Sequence, residues 1–287
     1  MTRILVLHTG GTVGMAHGPN GLAPQPGLVE EALIRLAPPK LDLTIHSFDP
    51  LIDSAEMGPA IWNRLIDRIT EWSGDGIIIT HGTDTMAFTG AALSGALPGL
   101  PIPVVLTGSM KPLGVPGDAE SNLILALDAV SGAAPGVWLA FAGRILTGAS
   151  VVKHHSSAPD SFRETQAAVP MRGSFAPRHF PDRKLAILTL APGFGAAVDA
   201  LGAALEHLDG AILRVFGAGT MMQDPKLLSV LAAATGRGCR IVAVSQCERG
   251  GLTPGAYAAG EALWASGVEN GGTKTAERAL ADLWLDL

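Results

Sequence analysis

Short runs of aliphatic and β-branched residues recur along the first half of the chain, each closed by Gly, Ser or Thr. They read "ILVLHTGG", "GIIITHGTD", "PVVLTGSM" and "VWLAFAGRI". Between them, apolar positions return at helical spacing. Pro59–Trp72 carries Ile61, Leu65, Ile66 and Ile69, and Glu120–Val130 carries Leu123, Leu125, Ala126, Leu127 and Val130, with Asp118 or Ser121 as its cap. Strands alternating with helices predict βαβ units and a mostly parallel sheet covered on both faces. From Pro170 to Lys184 the pattern breaks into "PMRGSFAPRHFPDRK", which reads as a linker. It resumes with "LAILTLAPG", "GAILRVFGAG" and "RIVAVSQC", and with helices expected at Pro225–Thr235 and Thr275–Trp284.

The pattern therefore predicts an α/β protein with a larger N-terminal, mostly parallel-sheet domain and a smaller C-terminal α/β domain. The expected boundaries are residues 1–170, a linker over 171–184, and residues 185–287. The Gly- and Pro-rich segment Ala16–Gly27 is expected to be a mobile loop beside a pocket.

Composition narrows the function. Net charge is −6 and no basic run exceeds two residues, which argues against nucleic acid as a partner. No apolar run approaches the roughly 20 residues that span a bilayer, so no membrane partner is expected. The opening "ILVL" is too short for a signal-peptide core. The two cysteines, Cys239 and Cys247, match no zinc spacing and form no disulfide framework, and a reducing cytoplasm is the expected compartment.

In parallel α/β sheets, ligands bind beyond the carboxyl ends of the strands, so the polar residues there carry the chemistry. They are Thr9 and Thr12; Asp53 and Ser54; His81, Thr83, Asp84 and Thr85; Thr107, Ser109 and Lys111; and Lys153, His154 and His155. Each has a plain structural reading. A Thr after a strand is most often a cap or turn former, and His81 is as readily a satisfied core residue as a catalytic one. On a strand, His154 and His155 point to opposite faces and make a poor metal pair. Convergence on one sheet edge raises the set above its parts. A Thr hydroxyl becomes a nucleophile when a base takes its proton, and a desolvated lysine can be that base, oriented by a carboxylate. Glycines beside the hydroxyl let a substrate approach and turn backbone N–H groups toward an oxyanion. The chemistry this implies is acyl transfer through an acyl-threonine. The phosphate-loop fingerprints and G-x-S-x-G are absent, which sets aside nucleotide binding and Ser-His-Asp hydrolysis.

The sequence resembles the bacterial L-asparaginase family, and within it the cytoplasmic type I enzymes. The resemblance rests on "TGGTVGM" and "HGTDTMAFTGAAL" in order. It continues through "PLIDSAEM", "GSMKP", "GRILTGASVVKHHSSAPDSF" and "SQCERGG" to "TKTAERALADL". It implies hydrolysis of L-asparagine to L-aspartate and ammonia, with L-glutamine as a weaker substrate and no metal or organic cofactor. By resemblance, Thr12 takes the nucleophile's place, and Thr83, Asp84 and Lys153 take the places of a Thr-Asp-Lys set. Gly11 and the segment Asp53, Ser54 and Ala55 fall where the substrate is held. Asp84 is placed to pair with the substrate ammonium, and Ser109 falls where a backbone carbonyl meets the side-chain amide. The resemblance further implies a homodimer or a dimer of dimers with shared sites. The chain departs from the family pattern at Leu22, where a loop Tyr is usual, at Thr220, where Asn is usual, and at Thr273, where Asp is usual. Two other readings stay open: a non-catalytic amino-acid sensor, and an amidase subunit of an amidotransferase.

Overall fold

A computed structural model describes residues 1–18, 21–166 and 173–287. Two compact units divide between Phe180 and Pro181.

The first unit opens with β1 (Thr2–His8), followed by a hairpin of β2 (Met15–Gly18) and β3 (Gly21–Pro24), then α1 (Leu28–Leu36) and β4 (Leu41–Ser47). It continues with α2 (Pro59–Glu71), β5 (Gly76–Thr80), α3 (Met86–Ala96), β6 (Pro103–Thr107), α4 (Ala119–Gly132) and β7 (Gly136–Phe141). β8 (Arg144–Thr147), β9 (Val151–Lys153) and β10 (Phe162–Glu164) complete it. The main sheet has six strands in the order β4-β1-β5-β6-β7-β8, all parallel except the antiparallel β7–β8 pair.

Side chains alternate across these strands. Ile4, Val6, Ile78 and Val105 share one face with α1 and α4, whose Val29, Leu33, Leu123 and Leu127 close a single apolar cluster over them. Leu5, Leu7, Ile77 and Ile79 occupy the other face and are equally buried. With both faces covered, β5 and β6 have no exposed residue and read as continuous apolar runs.

The strand order positions the site. The chain steps from β1 to β4 on one side, then crosses to β5 on the other, so the order reverses between β1 and β5. A crevice at the carboxyl ends of such a pair is where open α/β sheets bind ligands. The loops leaving β1 and β5 carry the two threonine motifs.

The expected helices form, α2 over Pro59–Glu71 and α4 over Ala119–Gly132. On α2, Trp62 is buried beside Leu65, Ile66 and Ile69, while Ile61 lies at the margin. Asp118 stands at the N-cap of α4, but its side chain does not cap the helix. Its carboxylate instead accepts from the backbone N–H groups of Met110 and Lys111, at 2.8 and 3.0 Å, and from Asn122 Nδ2. Ser121 donates its hydroxyl to the Asp118 carbonyl.

Of the segment Ala16–Gly27, the described part is largely the β2–β3 hairpin, in which His17 pairs with Leu22; Pro19 and Asn20 lie outside the described residues. Of the expected linker, Met171 and Arg172, with Pro170 before them, also lie outside the described residues. Residues 173–180 are tied to the first unit. Ala176 and Arg178 donate N–H groups to Pro98 and Ala96, and Phe180 exchanges two hydrogen bonds with Asn63 and packs on Trp62.

The second unit contains β11 (Leu185–Thr189), α5 (Val198–Leu205), β12 (Gly210–Val215), α6 (Pro225–Gly236), β13 (Arg240–Ser245), α7 (Ala258–Ala265), β14 (Glu269–Asn270) and α8 (Ala276–Leu285). Its four strands run parallel in chain order. Thr275 caps α8 by accepting from Arg278 N–H. No helix among the described residues is long and apolar enough to cross a membrane.

Candidate active site

The site is built from loops that leave β1, β4, β5 and β6, fastened to one another by backbone contacts. Thr9 N–H and Thr9 Oγ1 both donate to the Thr80 carbonyl, at 3.1 and 2.8 Å, which locks the end of β1 to the end of β5. Thr9 is fully buried and serves this tie. Ile52 N–H donates to the Thr9 carbonyl at 2.7 Å, and His81 N–H to the Thr107 carbonyl at 2.8 Å. Four strand ends are thereby held in one register.

Beyond the tie, Gly10 and Gly11 take positive φ and lead into a single 3₁₀ turn at Thr12–Gly14. A Cβ on Gly11 would fall 2.6 Å from Gly82 N, so the "TGGT" and "HGTD" loops touch backbone to backbone. A Cβ on Gly82 would in turn meet Ser54 Oγ at 2.5 Å. Thr12, Thr83 and Ser54 are the side chains next to these contacts. Ser54 is buried and begins a second 3₁₀ turn, Ser54–Glu56. Asp53 caps this turn through Ala55 N–H, and Thr85 Oγ1 pins the Ser54 carbonyl at 2.6 Å.

Lys153 ends β9 and reaches the same place. Its Nζ donates to Thr83 Oγ1 at 2.9 Å and to Asp84 Oδ1 at 2.6 Å. The lysine side chain is 15% exposed and that of Asp84 is 75% exposed. The amine is thus sheltered against Thr83, while the carboxylate stands where a ligand can reach it. Among the described residues no hydrogen bond links Thr12 to this set.

Ser109 is buried, and its hydroxyl donates to the Lys111 carbonyl at 2.5 Å. That leaves its backbone as the group it presents. His81 is a satisfied core residue. A carbonyl only accepts, so its Nδ1 carries the proton given to Gly82 O at 2.7 Å. Nε2 then accepts from Thr89 Oγ1 at 2.8 Å, and Thr89 accepts from Trp62 Nε1 at 3.0 Å. Burial lowers the His81 pKa to about 4, against a smaller upward pull from the Gly82 carbonyl. β9 stops at Lys153, so His154 and His155 lie past the strand, and His155 Nδ1 accepts from the N–H groups of Ser157 and Ala158. Among the described residues no three His, Cys, Asp or Glu side chains converge as metal ligands do.

At the three departures from the family pattern, Leu22 is an exposed hairpin residue. Thr220 forms an isolated bridge with Phe216, and Thr273 follows the turn after β14. The sequence reading did not single out His8, which is fully buried with Nδ1 2.6 Å from Thr80 Oγ1, although its place directly before "TGGT" was visible.

Comparison with known proteins agrees with this architecture across both units. The "Asparaginase, N-terminal" family model matches residues 3–174, and the "Glutaminase/Asparaginase C-terminal domain" model matches residues 184–287. The chain is 32% identical to L-asparaginase 1 of Escherichia coli K12, covering 98% of this chain and 90% of that protein. Among solved structures, L-asparaginase I from Vibrio cholerae superposes with a TM-score of 0.87 at 32% identity, covering 99% of this chain and 92% of that one. The thermostable L-asparaginase from Thermococcus kodakarensis gives 0.86 at 30% identity, with the same coverage. Two family models in succession, and relatives matched over nearly their full length, make this chain a member of the asparaginase family.

Proposed function

We propose that this protein hydrolyses L-asparagine to L-aspartate and ammonia through an acyl-threonine. The observation that carries the reading is the Lys153 Nζ contact to both Thr83 Oγ1 and Asp84 Oδ1, beside the turn that bears Thr12.

In this reading Thr12 Oγ1 attacks the side-chain amide carbon. Its proton passes to the leaving nitrogen, ammonia departs, and Thr12 is left esterified. A water activated by the Thr83–Lys153 pair then attacks the ester, releasing L-aspartate and restoring the Thr12 hydroxyl. Gly11 gives the oxyanion a bare backbone to approach. Ser109 contributes its backbone to the amide, and Ser54 with the backbone from Asp53 to Ala55 holds the α-carboxylate and amine. The substrate ammonium pairs with the exposed Asp84 carboxylate. That pairing competes with the Asp84 contact to Lys153 Nζ, so a bound substrate leaves the Lys153 amine to Thr83.

The resemblance to the asparaginases implies a homodimer or a dimer of dimers, to be read by light scattering. Two free cysteines, one of them exposed, suit a reducing cytoplasm.

The test is release of ammonia from L-asparagine and, side by side, from L-glutamine. The hydrolase reading requires turnover that Thr12→Ala lowers by about 10²-fold or more. Saturable binding of L-asparagine with no ammonia released would establish the sensor reading in its place.

A further inference from the structure

A second constellation lies directly beneath the Thr12 turn and takes no part in the chemistry above. His8 is the last residue of β1 and is 1% exposed. On one side its Nδ1 meets Thr80 Oγ1 of β5 at 2.6 Å. On the other side, its Cε1–Nε2 edge lies against Gly14, where a Cβ would come within 3.1 Å of both ring atoms. Gly14 closes the Thr12 turn through its N–H to the Gly11 carbonyl, and its own carbonyl accepts from Gln25 N–H at 2.8 Å. The imidazole is therefore wedged between the end of β5 and the turn that carries Thr12.

The third contact is electrostatic. Glu30 on α1 accepts the hydroxyl of Ser47, the β4 residue paired with His8 in the sheet. Its other oxygen, Oε2, is buried with no hydrogen-bond partner among the described residues. Burial opposes ionisation of Glu30, but the Ser47 hydroxyl, the Glu30 and Gly27 N–H groups and His8 outweigh it, and the carboxyl titrates below its ordinary value. Burial pulls the His8 pKa down, and the Glu30 carboxylate partly offsets this. The elements against the ring present Glu30 from α1, Ser47 from β4, Thr80 from β5 and Gly14 from the turn; of these only Glu30 titrates between acid and neutral pH.

We propose that His8 is a positioning residue for the Thr12 turn, set as a neutral imidazole between Thr80 and Gly14, with Glu30 as the charge that governs it. The proposal rests on the reading of Thr12 as the attacking hydroxyl. Protonation makes donors of both ring nitrogens, so Nδ1–H and Nε2–H each need an acceptor, and Thr80 Oγ1 serves only the first. Glu30 Oε2, unpartnered among the described residues, is the anion at hand. Reaching it moves the ring or the carboxylate and takes support from Gly14. Turn position is what a near-attack geometry depends on, so the change falls on kcat before KM.

The experiment is a pH series of kcat and KM for L-asparagine, with TROSY spectra of 15N-labelled protein, on wild type, His8→Phe, His8→Asn and Glu30→Gln. In wild type, kcat falls on the acid side and the Gly11–Gly14 amides titrate with it. His8→Phe lowers kcat by roughly 10-fold or more with KM within about twofold, and it abolishes both titrations. His8→Asn keeps a hydrogen-bonding group at the Nδ1 place and restores part of kcat, without the titration. Glu30→Gln, which keeps the imidazole, moves the acid limb to lower pH. Wild-type kcat and pH profile in a folded His8→Phe would overturn the proposal. An acid limb and amide titration unmoved in Glu30→Gln would do the same. A wild type that releases no ammonia overturns the hydrolase reading instead. The amide titration still decides whether His8 governs the turn.

Discussion

Gly11 and Gly82 meet backbone to backbone, with room for a side chain on neither. A Cβ on Gly11 would lie 2.6 Å from Gly82 N and 2.8 Å from Gly82 Cα. A Cβ on Gly82 would lie 2.6 Å from Ser54 Cβ. The two threonine motifs, about seventy residues apart in sequence, are joined through this contact. Gly11 also holds φ +93, a region that L side chains avoid.

Gly11→Ala should therefore suffer both strain and overlap with a backbone that cannot swing away. The expected cost is about 2–4 kcal/mol, with most of the activity lost because Thr12 and Thr83 are pushed apart. Urea unfolding and ammonia release, measured on the same preparation, check this. Gly82→Ala displaces Ser54 instead, so its loss should show first in KM.

Lys153→Met should separate chemistry from stability. The Lys153–Asp84 pair is short, but Asp84 is 75% exposed, and such pairs contribute about 0–1 kcal/mol. Loss of the amine at Thr83 should lower kcat on the order of 10²–10⁴-fold. The expectation is a melting temperature near wild type and a collapsed kcat with KM little changed. A rise in KM alone would make Lys153 a binding residue.

Much of this arrangement is legible in the sequence because its signals are local. The aliphatic runs ending at His8, Thr80 and Thr107 mark strands, and the glycines after them mark loops at one sheet edge. The residues that align those loops give no local signal. α3 is buried on almost every side, so Met86–Ala96 has no apolar stripe to betray it. β4 is an edge strand whose LDLTIHS alternates polar and apolar positions. Asp118 looks like a helix cap, yet the N–H groups it satisfies belong to Met110 and Lys111, at the other end of the β6–α4 loop. His8 reads as one more strand residue until Gly14 and Glu30 are brought against it by the fold.

Asp118→Ala tests how far the closure of the β6–α4 loop supports the site. Asp118 is buried, and its carboxylate satisfies two backbone N–H groups and Asn122 Nδ2. Its removal leaves the two backbone N–H groups unpaired, at an expected cost of about 2–4 kcal/mol. The loop it anchors includes Ser109, so KM for L-asparagine should rise while kcat is less affected. Asp118→Asn, which retains one acceptor oxygen, should fall between the two in urea midpoint.

His81 predicts a specific weakness toward acid. In the unfolded chain its imidazole takes up a proton near the ordinary value of 6.5, whereas in the folded protein burial delays this to about 4. Between those values the unfolded state binds the proton and the native state does not, so stability falls as pH drops through this window. Above about 6.5 neither state is protonated at this site, and below about 4 both are, so the penalty grows only in between. Its full size is on the order of 3 kcal/mol. His81→Gln removes the titration, although it also disturbs the bonds to Thr89 and Gly82 and lowers stability at every pH. The informative quantity is the slope. Urea unfolding at pH 7 and pH 4.5 should show a stability loss about 2–3 kcal/mol smaller in the variant than in wild type. His8 acts in the same direction, but it is present in both proteins and cancels from the comparison. Equal slopes in the two proteins would mean that His81 titrates near its ordinary value, and that the Trp62–Thr89–His81 chain does not hold the ring neutral.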